Sequence, residues 1–211
     1  MAAPASKTIG DINGKWALNK TLSDPVDPAL SMQGIGWLTR KAIGAASVTL
    51  DIKQYIGAPK PPSTSTEQVT RIDITQLVTG GLKGTQENRS LDDEFREHSD
   101  WLFGTVRGHG RWMGADELAA LVAAGGEAVA KGWVDGSGFL AADWIEEGEG
   151  GGPKGETHVY SFVESLDSDW TATQVWGFQM VGGERRYARN VVVAKKGKFY
   201  NMKMIYDFLS E

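Results

Sequence analysis

The chain contains no cysteine and only three histidines, and these shortages restrict its chemistry. Without cysteine it can form no disulfide, no thiolate metal site and no cysteine nucleophile. His98, His109 and His158 are too dispersed for a motif such as H-E-x-x-H, so we expect no metal ion. The chain also lacks a G-x-S-x-G motif and a phosphate-binding loop ending in G-K-[ST], and we expect no bound cofactor.

Long apolar runs and clusters of basic residues are missing as well. No stretch approaches the roughly 20 apolar residues that a membrane span requires. Residues 1–8 carry no apolar signal-peptide core, so we expect a cytoplasmic protein without an integral membrane segment. The net charge of −5 and the absence of clustered Lys and Arg argue against nucleic acid as a partner. We expect a monomer or a weak dimer.

What the chain does have is a succession of short, alternating segments. Glycine is frequent at 27 residues and tryptophan at 8, which suits short strands, tight turns and an aromatic interior. With 211 residues, one β domain spanning 1–211 is the simplest organisation. Period-two alternation and turn signals predict about ten strands. They start at Trp16 and continue over 48–52, 69–78, 83–91, 101–112, 133–145, 158–164, 170–178, 185–194 and 199–208.

Three segments interrupt this pattern. Asp24-Pro25 and Asp27-Pro28 are helix-start signals, and they predict a short helical pair over 24–45. The Ala-rich stretch 115–131, interrupted at Gly125-Gly126, predicts an inserted and broken helix. The acidic, glycine-rich run 146–156 is expected to be a flexible loop that does not pack.

The opening of the chain has a recognisable order. Gly14-Lys15-Trp16 begins a strand, and the helical pair that follows contains Gly34-Ile35-Gly36-Trp37-Leu38-Thr39-Arg40-Lys41. This order, and the segment from Gln174 to Leu209, resembles the intracellular lipid-binding proteins, the fatty-acid-binding branch of the calycins. The resemblance implies an up-and-down β-barrel capped by the helical pair, with one hydrophobic ligand inside. The segments 57–66, 115–131 and 146–156 are additional to that pattern.

The same resemblance implies a set of ligand-binding residues. In the family, a Q-x-W segment, an arginine on the next strand and a final R-x-Y hold a ligand carboxylate. The matching positions here are Gln174-Val175-Trp176, Arg189 and Met204-Ile205-Tyr206, so one of the two arginines is replaced by methionine. A single arginine compensates a buried carboxylate less well, and we therefore expect a phenol, enol, ketone or terpenoid acid rather than a simple fatty acid.

Strand parity extends this set, because residues two apart share a face. If Arg189 and Tyr206 point inward, so do Trp170, Phe178 and Tyr187, while residues such as Asn190 and Thr173 face solvent. The strand 101–113 is ambiguous, because one face carries Trp101, Phe103, Arg107 and His109, and the other carries Leu102, Val106, Trp112 and glycines. We include Arg107 and His109 as candidates. Without the resemblance, Arg189 could equally be a surface residue and Trp170 and Trp176 ordinary core.

Two functions remain open. The first is a binding protein for one hydrophobic or aromatic molecule, either lipid-like, polyketide-like or terpenoid-like. The second is a cofactor-independent isomerase or cyclase of the pericyclase type, in which Arg189, Tyr206 or His109 would polarise an enol or carbonyl. The chain also resembles fungal proteins found beside secondary-metabolite enzymes, which fits either function.

Overall fold

The fold, described for residues 1–211 of a computed structural model, is built on one antiparallel sheet of ten strands. The strands lie in the order β4-β3-β2-β1-β10-β9-β8-β7-β6-β5, so strands consecutive in sequence are paired except β4 and β5, and β1 also pairs with β10. The curled sheet confirms the predicted up-and-down calycin-like barrel. Its strands are β1 (Gly14–Leu18), β2 (Val48–Gly57), β3 (Val69–Val78), β4 (Gln86–Ser90), β5 (Arg96–Asp100), β6 (Gly104–Met113), β7 (His158–Ser165), β8 (Trp170–Val181), β9 (Glu184–Lys195) and β10 (Lys198–Ser210).

Four α-helices and one 3-10 helix accompany the sheet. The predicted helical pair is α1 (Asp27–Met32) and α2 (Trp37–Ala45), and the predicted broken helix is α3 (Ala115–Ala123) followed by α4 (Gly126–Ala130). A 3-10 helix covers Phe139–Ala141. None of these helices has the length and apolar character that crossing a bilayer demands.

The strand count of ten is correct although one strand was misplaced. The segment 133–145 is not a strand: it contains the 3-10 helix, and only Trp144 makes an isolated bridge, to Gln179. The strand that replaces it in the count is β5, whose sequence Arg-Glu-His-Ser-Asp carries no apolar residue. Since β5 lies at the edge of the sheet and is largely exposed, it shows none of the hydrophobic alternation that identifies half-buried strands.

The barrel has a seam, because β4 and β5 do not pair with each other. Directly after β4, Leu91 forms a parallel bridge with Gly110 of β6, and the Asp93 amide donates to the Gly110 carbonyl at 3.0 Å. The bridge and this hydrogen bond hold the chain after β4 against β6 and narrow the seam.

The segment from α3 to the 3-10 helix packs on the outside of the barrel. Leu118 and Ala128 join Tyr160 and Phe162 in one hydrophobic cluster on the outer face of β6 to β9. Asn190, expected on a solvent face, donates to the Phe139 and Ala142 carbonyls at 3.0 and 3.1 Å. The solvent-facing prediction for Asn190 and Thr173 is wrong, because the inserted segment covers this part of the sheet and both residues are buried.

The acidic loop 146–156 packs, contrary to expectation. Glu149 is buried and forms an ion pair with Arg185, whose guanidinium also donates to the Lys7 carbonyl at 2.6 Å. Gly151 lies so close to Gly10 that neither position has room for a side chain. The ion pair and the backbone contact fasten this loop to the N-terminal segment.

The N-terminal segment in turn closes one end of the barrel, which we call the lower end. Ile9 and Ile12 are fully buried and pack with Trp16, Leu50 and Tyr187 in the largest hydrophobic cluster. The opposite, upper end lies beneath α1, where Ala29 packs against a second interior cluster that includes Trp170 and Val193. The helical pair therefore caps the upper end, as predicted.

Candidate functional site

A cavity of about 400 Å³ occupies the upper half of the barrel. Trp170, Ala172 and Val163 line it from β8 and β7, and Gln33, directly after α1, lines it from the cap. The cavity continues to the seam between β4 and β5, where side chains of β5 and of the segment around Lys60 border it. The cavity thus lies between α1 and the seam.

Glu87 on β4 lies at the floor of this cavity. It faces inward because it pairs with Ile74 of β3, a residue of the lower core. Its carboxylate accepts hydrogen bonds from Gln76 Nε2 at 2.9 Å and from Arg89 Nη2 at 2.9 Å. Burial alone would raise the pKa of Glu87, but Arg89, Arg189 and these hydrogen bonds more than offset it and lower the pKa to about 2.

Arg89 is the second inward charge of β4, two residues from Glu87. Its Nη1 donates to Ser161 Oγ at 2.6 Å, and its guanidinium carbon lies 5.1 Å from the centre of the Trp176 ring. Arg89 lines the cavity together with Glu87 and Gln174. It is therefore a cation that a molecule in the cavity can contact directly.

Arg189 on β9 lies beneath this floor and does not line the cavity. Its guanidinium carbon is 3.9 Å from the centre of the Trp176 ring, its Nε donates to Tyr187 Oη at 3.0 Å, and its Nη1 is 3.7 Å from Glu87 Oε2. Its Nη2 is buried without a hydrogen-bond partner. Glu87 thus supplies the nearest counter-charge to Arg189.

The phenols of Tyr187 and Tyr206 lie with Arg189 in the layer beneath the floor of the cavity. Burial raises the pKa of both Tyr187 and Tyr206, and the nearby Arg189 only partly counteracts this. Both phenols are therefore protonated at neutral pH, while the Glu87 carboxylate is ionised and too weak a base to remove a proton easily. This layer supplies fixed charges and hydrogen-bond donors rather than a group ready for proton transfer.

The residues predicted from the sequence, other than Arg107, divide into three groups. Trp170, Gln174 and His109 line the cavity. Met204 lies between the two interior clusters and packs against both. The others lie in the packed layer underneath: Trp176, Phe178, Tyr187, Arg189 and Tyr206.

The inward interpretation is wrong for Arg107, which pairs across the sheet with Glu164 and forms an ion pair with it. His109 borders the cavity at the seam, and its Nδ1 lies 2.6 Å from Asp93. The His109 ring also contacts Phe162, which belongs to the outer cluster under α3. The inner face of β6 carries Val106, Trp112 and the glycines, because the small residues face the narrow seam.

Sequence reasoning missed Glu87 and Arg89, and with them the second interior arginine. The strand 83–91 was recognised only as mostly polar. The feature of this strand that could have identified the two residues is the spacing of an acid and a base two residues apart. This spacing places both side chains on one face, where they can neutralise each other. Extending the hairpin pairing from the alternating strand 69–78 would have placed that face inside, opposite Ile72 and Ile74.

The barrel and the helical cap have the fold of the fatty-acid-binding proteins. Solved structures with this fold match nearly the whole chain. A point mutant of the fluorescent protein UnaG has a TM-score of 0.53 at 12% identity, covering 95% of this chain and 97% of that one. A point mutant of the REP1-NXSQ fatty acid transporter has a TM-score of 0.51 at 12% identity, covering 94% and 98%. The Schistosoma mansoni fatty acid binding protein in complex with arachidonic acid has a TM-score of 0.50 at 12% identity, covering 97% and 100%.

Sequence comparison identifies more similar relatives among fungal proteins. The chain is 28% identical over 208 residues to the probable pericyclase scpY of Mollisia scopiformis, covering 99% of this chain and 95% of that protein. It is 28% identical over 209 residues to the pericyclase pydY of an Acremonium species, covering 99% and 97%. No protein-family model matches the chain. The additional segments 115–131 and 146–156 are thus within the range over which these relatives align.

Proposed function

We propose that the protein binds one hydrophobic or aromatic small molecule, lipid-like, polyketide-like or terpenoid-like, in the cavity of its barrel. The observation that carries this proposal is the cavity of about 400 Å³ under the helical cap, where Phe103, Trp170, Val163 and Ala172 form an apolar side within a largely polar lining. Cavities of this size are typical of small-molecule sites. Burying about 300 Å² of apolar ligand surface at about 25 cal/mol/Å² would contribute about 7 kcal/mol before the costs of association.

The polar floor supports a ligand with one polar end and a larger apolar body. Glu87, Arg89, Gln76 and Gln174 offer both hydrogen-bond donors and acceptors on one side of the cavity, whereas Trp170, Val163 and Ala172 offer apolar contact. Polar groups on one side and apolar contact on the other would fix the orientation of a bound molecule. The cytoplasmic location and the monomeric or weakly dimeric state expected from the sequence belong to the same proposal.

The test begins with fluorescence titration of the purified protein with Nile red, a neutral apolar dye. We expect saturable enhancement with one site per chain, and solvent extraction of the protein followed by mass spectrometry should identify any co-purified compound. Ala172→Phe, which places a ring in the cavity, should abolish the enhancement, whereas Ala120→Phe on the exposed face of α3 should leave it intact. Absence of saturable dye binding by the folded protein would contradict the proposal.

A second candidate function is cofactor-independent pericyclic catalysis on the bound molecule. The specific observation in its favour is the alignment of 99% of the chain with proteins described as pericyclases. An intramolecular pericyclic reaction redistributes π and σ bonds within one molecule through a cyclic transition state, without gain or loss of atoms, so it needs no proton-transferring group. A cavity that holds a folded conformer, with Arg89 donating a hydrogen bond to a carbonyl, provides orientation and polarisation.

Catalysis and simple binding differ in one measurable result. The compound extracted from the protein, or a synthetic polyene carbonyl compound that displaces Nile red, is incubated with the protein and followed by chromatography and mass spectrometry. An enzyme of this kind yields a product of unchanged mass with a different retention time, formed over many turnovers. Recovery of only the starting compound, despite its binding, would support the carrier function alone.

A further inference from the structure

The interior carboxylate of Glu87 is the feature that distinguishes this cavity. Its two oxygens already accept hydrogen bonds from Gln76 and Arg89 at 2.9 Å each, and Arg189 lies 3.7 Å away. These are the groups that would otherwise hold an anionic ligand at the floor. Resting on the proposed small-molecule binding, we propose that Glu87 occupies the anion position of the cavity and makes the protein selective for neutral ligands over carboxylates.

The local charges support this selectivity. A molecule in the cavity meets Glu87 and Arg89, which neutralise each other through two hydrogen bonds, of 2.9 and 3.3 Å. The remaining positive charge of the layer is that of Arg189, which lies under the floor with its guanidinium against the Trp176 ring. A ligand carboxylate would have to compete with Glu87 for Arg89 and would then leave a buried carboxylate without its partner.

The rest of the cavity does not restore an attraction for anions. Its lining includes three basic side chains, Lys60, Arg89 and Arg96, and four acidic ones, Glu87, Glu94, Glu97 and Asp100. Of the basic side chains, Arg96 is already held by both oxygens of Asp92 at 2.7 Å, and Lys60 Nζ forms an ion pair with Asp73 at 3.8 Å. The lining therefore carries more acid than base, and an ionised ligand would lose hydration without gaining a free cation.

Neutral polar groups fit the same floor. A ketone, enol, amide or ester oxygen can accept a hydrogen bond from Arg89 or Gln174 without displacing Glu87, and a hydroxyl can donate to the Glu87 carboxylate. Glu87 also holds the Arg89 guanidinium in place against Ser161, so the donor is oriented before the ligand enters. The ligand class that this chemistry recognises is an uncharged, largely apolar molecule with a carbonyl or hydroxyl group.

The test compares two probes that differ in charge and little in shape: cis-parinaric acid and its methyl ester, both titrated by fluorescence at pH 8, where the acid is ionised. We expect the wild-type protein to bind the ester at least about tenfold more tightly than the acid. Glu87→Gln keeps the side-chain shape but removes its charge, and it should strengthen binding of the acid by at least about tenfold while changing the ester by less than about threefold. Glu164→Gln on the outer face is the matched control and should change neither affinity.

The outcomes are distinguishable. If the wild-type protein prefers the acid, or if folded Glu87→Gln leaves the ratio of the two affinities unchanged, the selectivity assigned to Glu87 is wrong although the protein binds small molecules. If neither probe binds and Nile red does not bind either, the proposed function itself fails, and with it this inference. Should Glu87→Gln not fold, the ratio for the wild-type protein alone still decides whether neutral ligands are preferred.

Discussion

The lower and upper halves of the barrel are made from the same strands but are filled in opposite ways. In the lower half, Trp16, Phe178 and Tyr187 pack ring against ring under the N-terminal segment. In the upper half, the corresponding inward positions of β7 and β8 carry the smaller residues Val163 and Ala172, and a cavity remains. The difference indicates that one half stabilises the fold and the other provides the site, with the charged layer of Glu87, Arg89 and Arg189 between them.

The largest effect on stability is expected when a large side chain of the packed lower half is truncated. Trp16 is fully buried, its indole donates to the Ile12 carbonyl at 2.9 Å, and its ring centre lies 5.0 Å from that of Phe208. Trp16→Ala should lower the free energy of unfolding by about 3–5 kcal/mol, because the neighbouring rings cannot collapse into the space. Urea denaturation measures this loss. Trp37→Ala, at an exposed position of α2, is the control and should change the free energy by less than about 0.5 kcal/mol.

If Trp16→Ala cost less than about 1 kcal/mol, the lower half would not be the stabilising half. The same variant should retain Nile red binding under conditions in which it remains folded, because Trp16 does not line the cavity. A folded Trp16→Ala protein that has lost dye binding would show that the two halves are not independent.

The next largest effect is expected from Glu87, in the charged layer between the two halves. It is measured as the pH dependence of the free energy of unfolding. The pKa of Glu87 is lowered from 4.5 to about 2 in the folded protein. Since the unfolded chain binds the proton more readily, this carboxylate stabilises the fold above about pH 4.5, and the contribution is lost as the pH falls towards 2. The shift corresponds to about 3 kcal/mol.

Urea denaturation at pH 7 and at pH 3 should therefore show a larger loss of stability for the wild-type protein than for Glu87→Gln. A matched substitution of an exposed acid, Glu127→Gln on α4, should leave the wild-type pH dependence nearly intact. Identical pH profiles for the wild-type protein and Glu87→Gln would contradict the assignment of a low pKa to Glu87.

A smaller energetic effect, but a decisive one for binding, is expected from filling the open half. Ala172→Phe adds a ring to a cavity wall, so ligand affinity should fall by at least about tenfold, equivalent to about 1.4 kcal/mol. The stability of the folded protein should change less than it does for Trp16→Ala, because the ring enters empty space. Isothermal titration with the extracted ligand, or Nile red titration, measures the loss. Unchanged affinity would place the ligand outside the cavity.

The same contrast explains how much the sequence could reveal. The lower half and the outer cluster are apolar on alternating positions, and these patterns with the turn signals predicted nine of the strands. The helical cap was predicted from its Asp-Pro pairs and the broken helix from its Ala-rich composition. β5 was missed because an exposed edge strand needs no apolar side chain, and 133–145 was taken for a strand because its apolar residues pack on the sheet from outside. An alternating apolar pattern indicates which residues are buried, and in this protein residues are buried on both faces of the sheet.

The site was less predictable for a related reason. Trp170 and Gln174 could be placed from strand parity, but the floor of the cavity depends on Glu87 and Arg89, whose polar strand has the composition of an exposed one. Only their mutual neutralisation allows both to lie inside, and that depends on register across the hairpin with β3. Conversely, the solvent-facing assignment of Asn190 failed because a segment distant in sequence supplies its hydrogen-bond acceptors.

The smallest effect is expected on the outer face, where one predicted ligand-binding residue proved to lie. Arg107 forms a partly exposed ion pair with Glu164, and pairs of this kind contribute about 0.2–1 kcal/mol. Arg107→Ala should therefore leave Nile red affinity within about twofold of the wild-type value. Arg89→Gln, which removes a charge and a hydrogen-bond donor from the floor, should lower the affinity for carbonyl-containing ligands. A tenfold loss for Arg107→Ala alone would mean that ligands reach the outer face of β6, and the division between an interior site and a structural exterior would no longer hold.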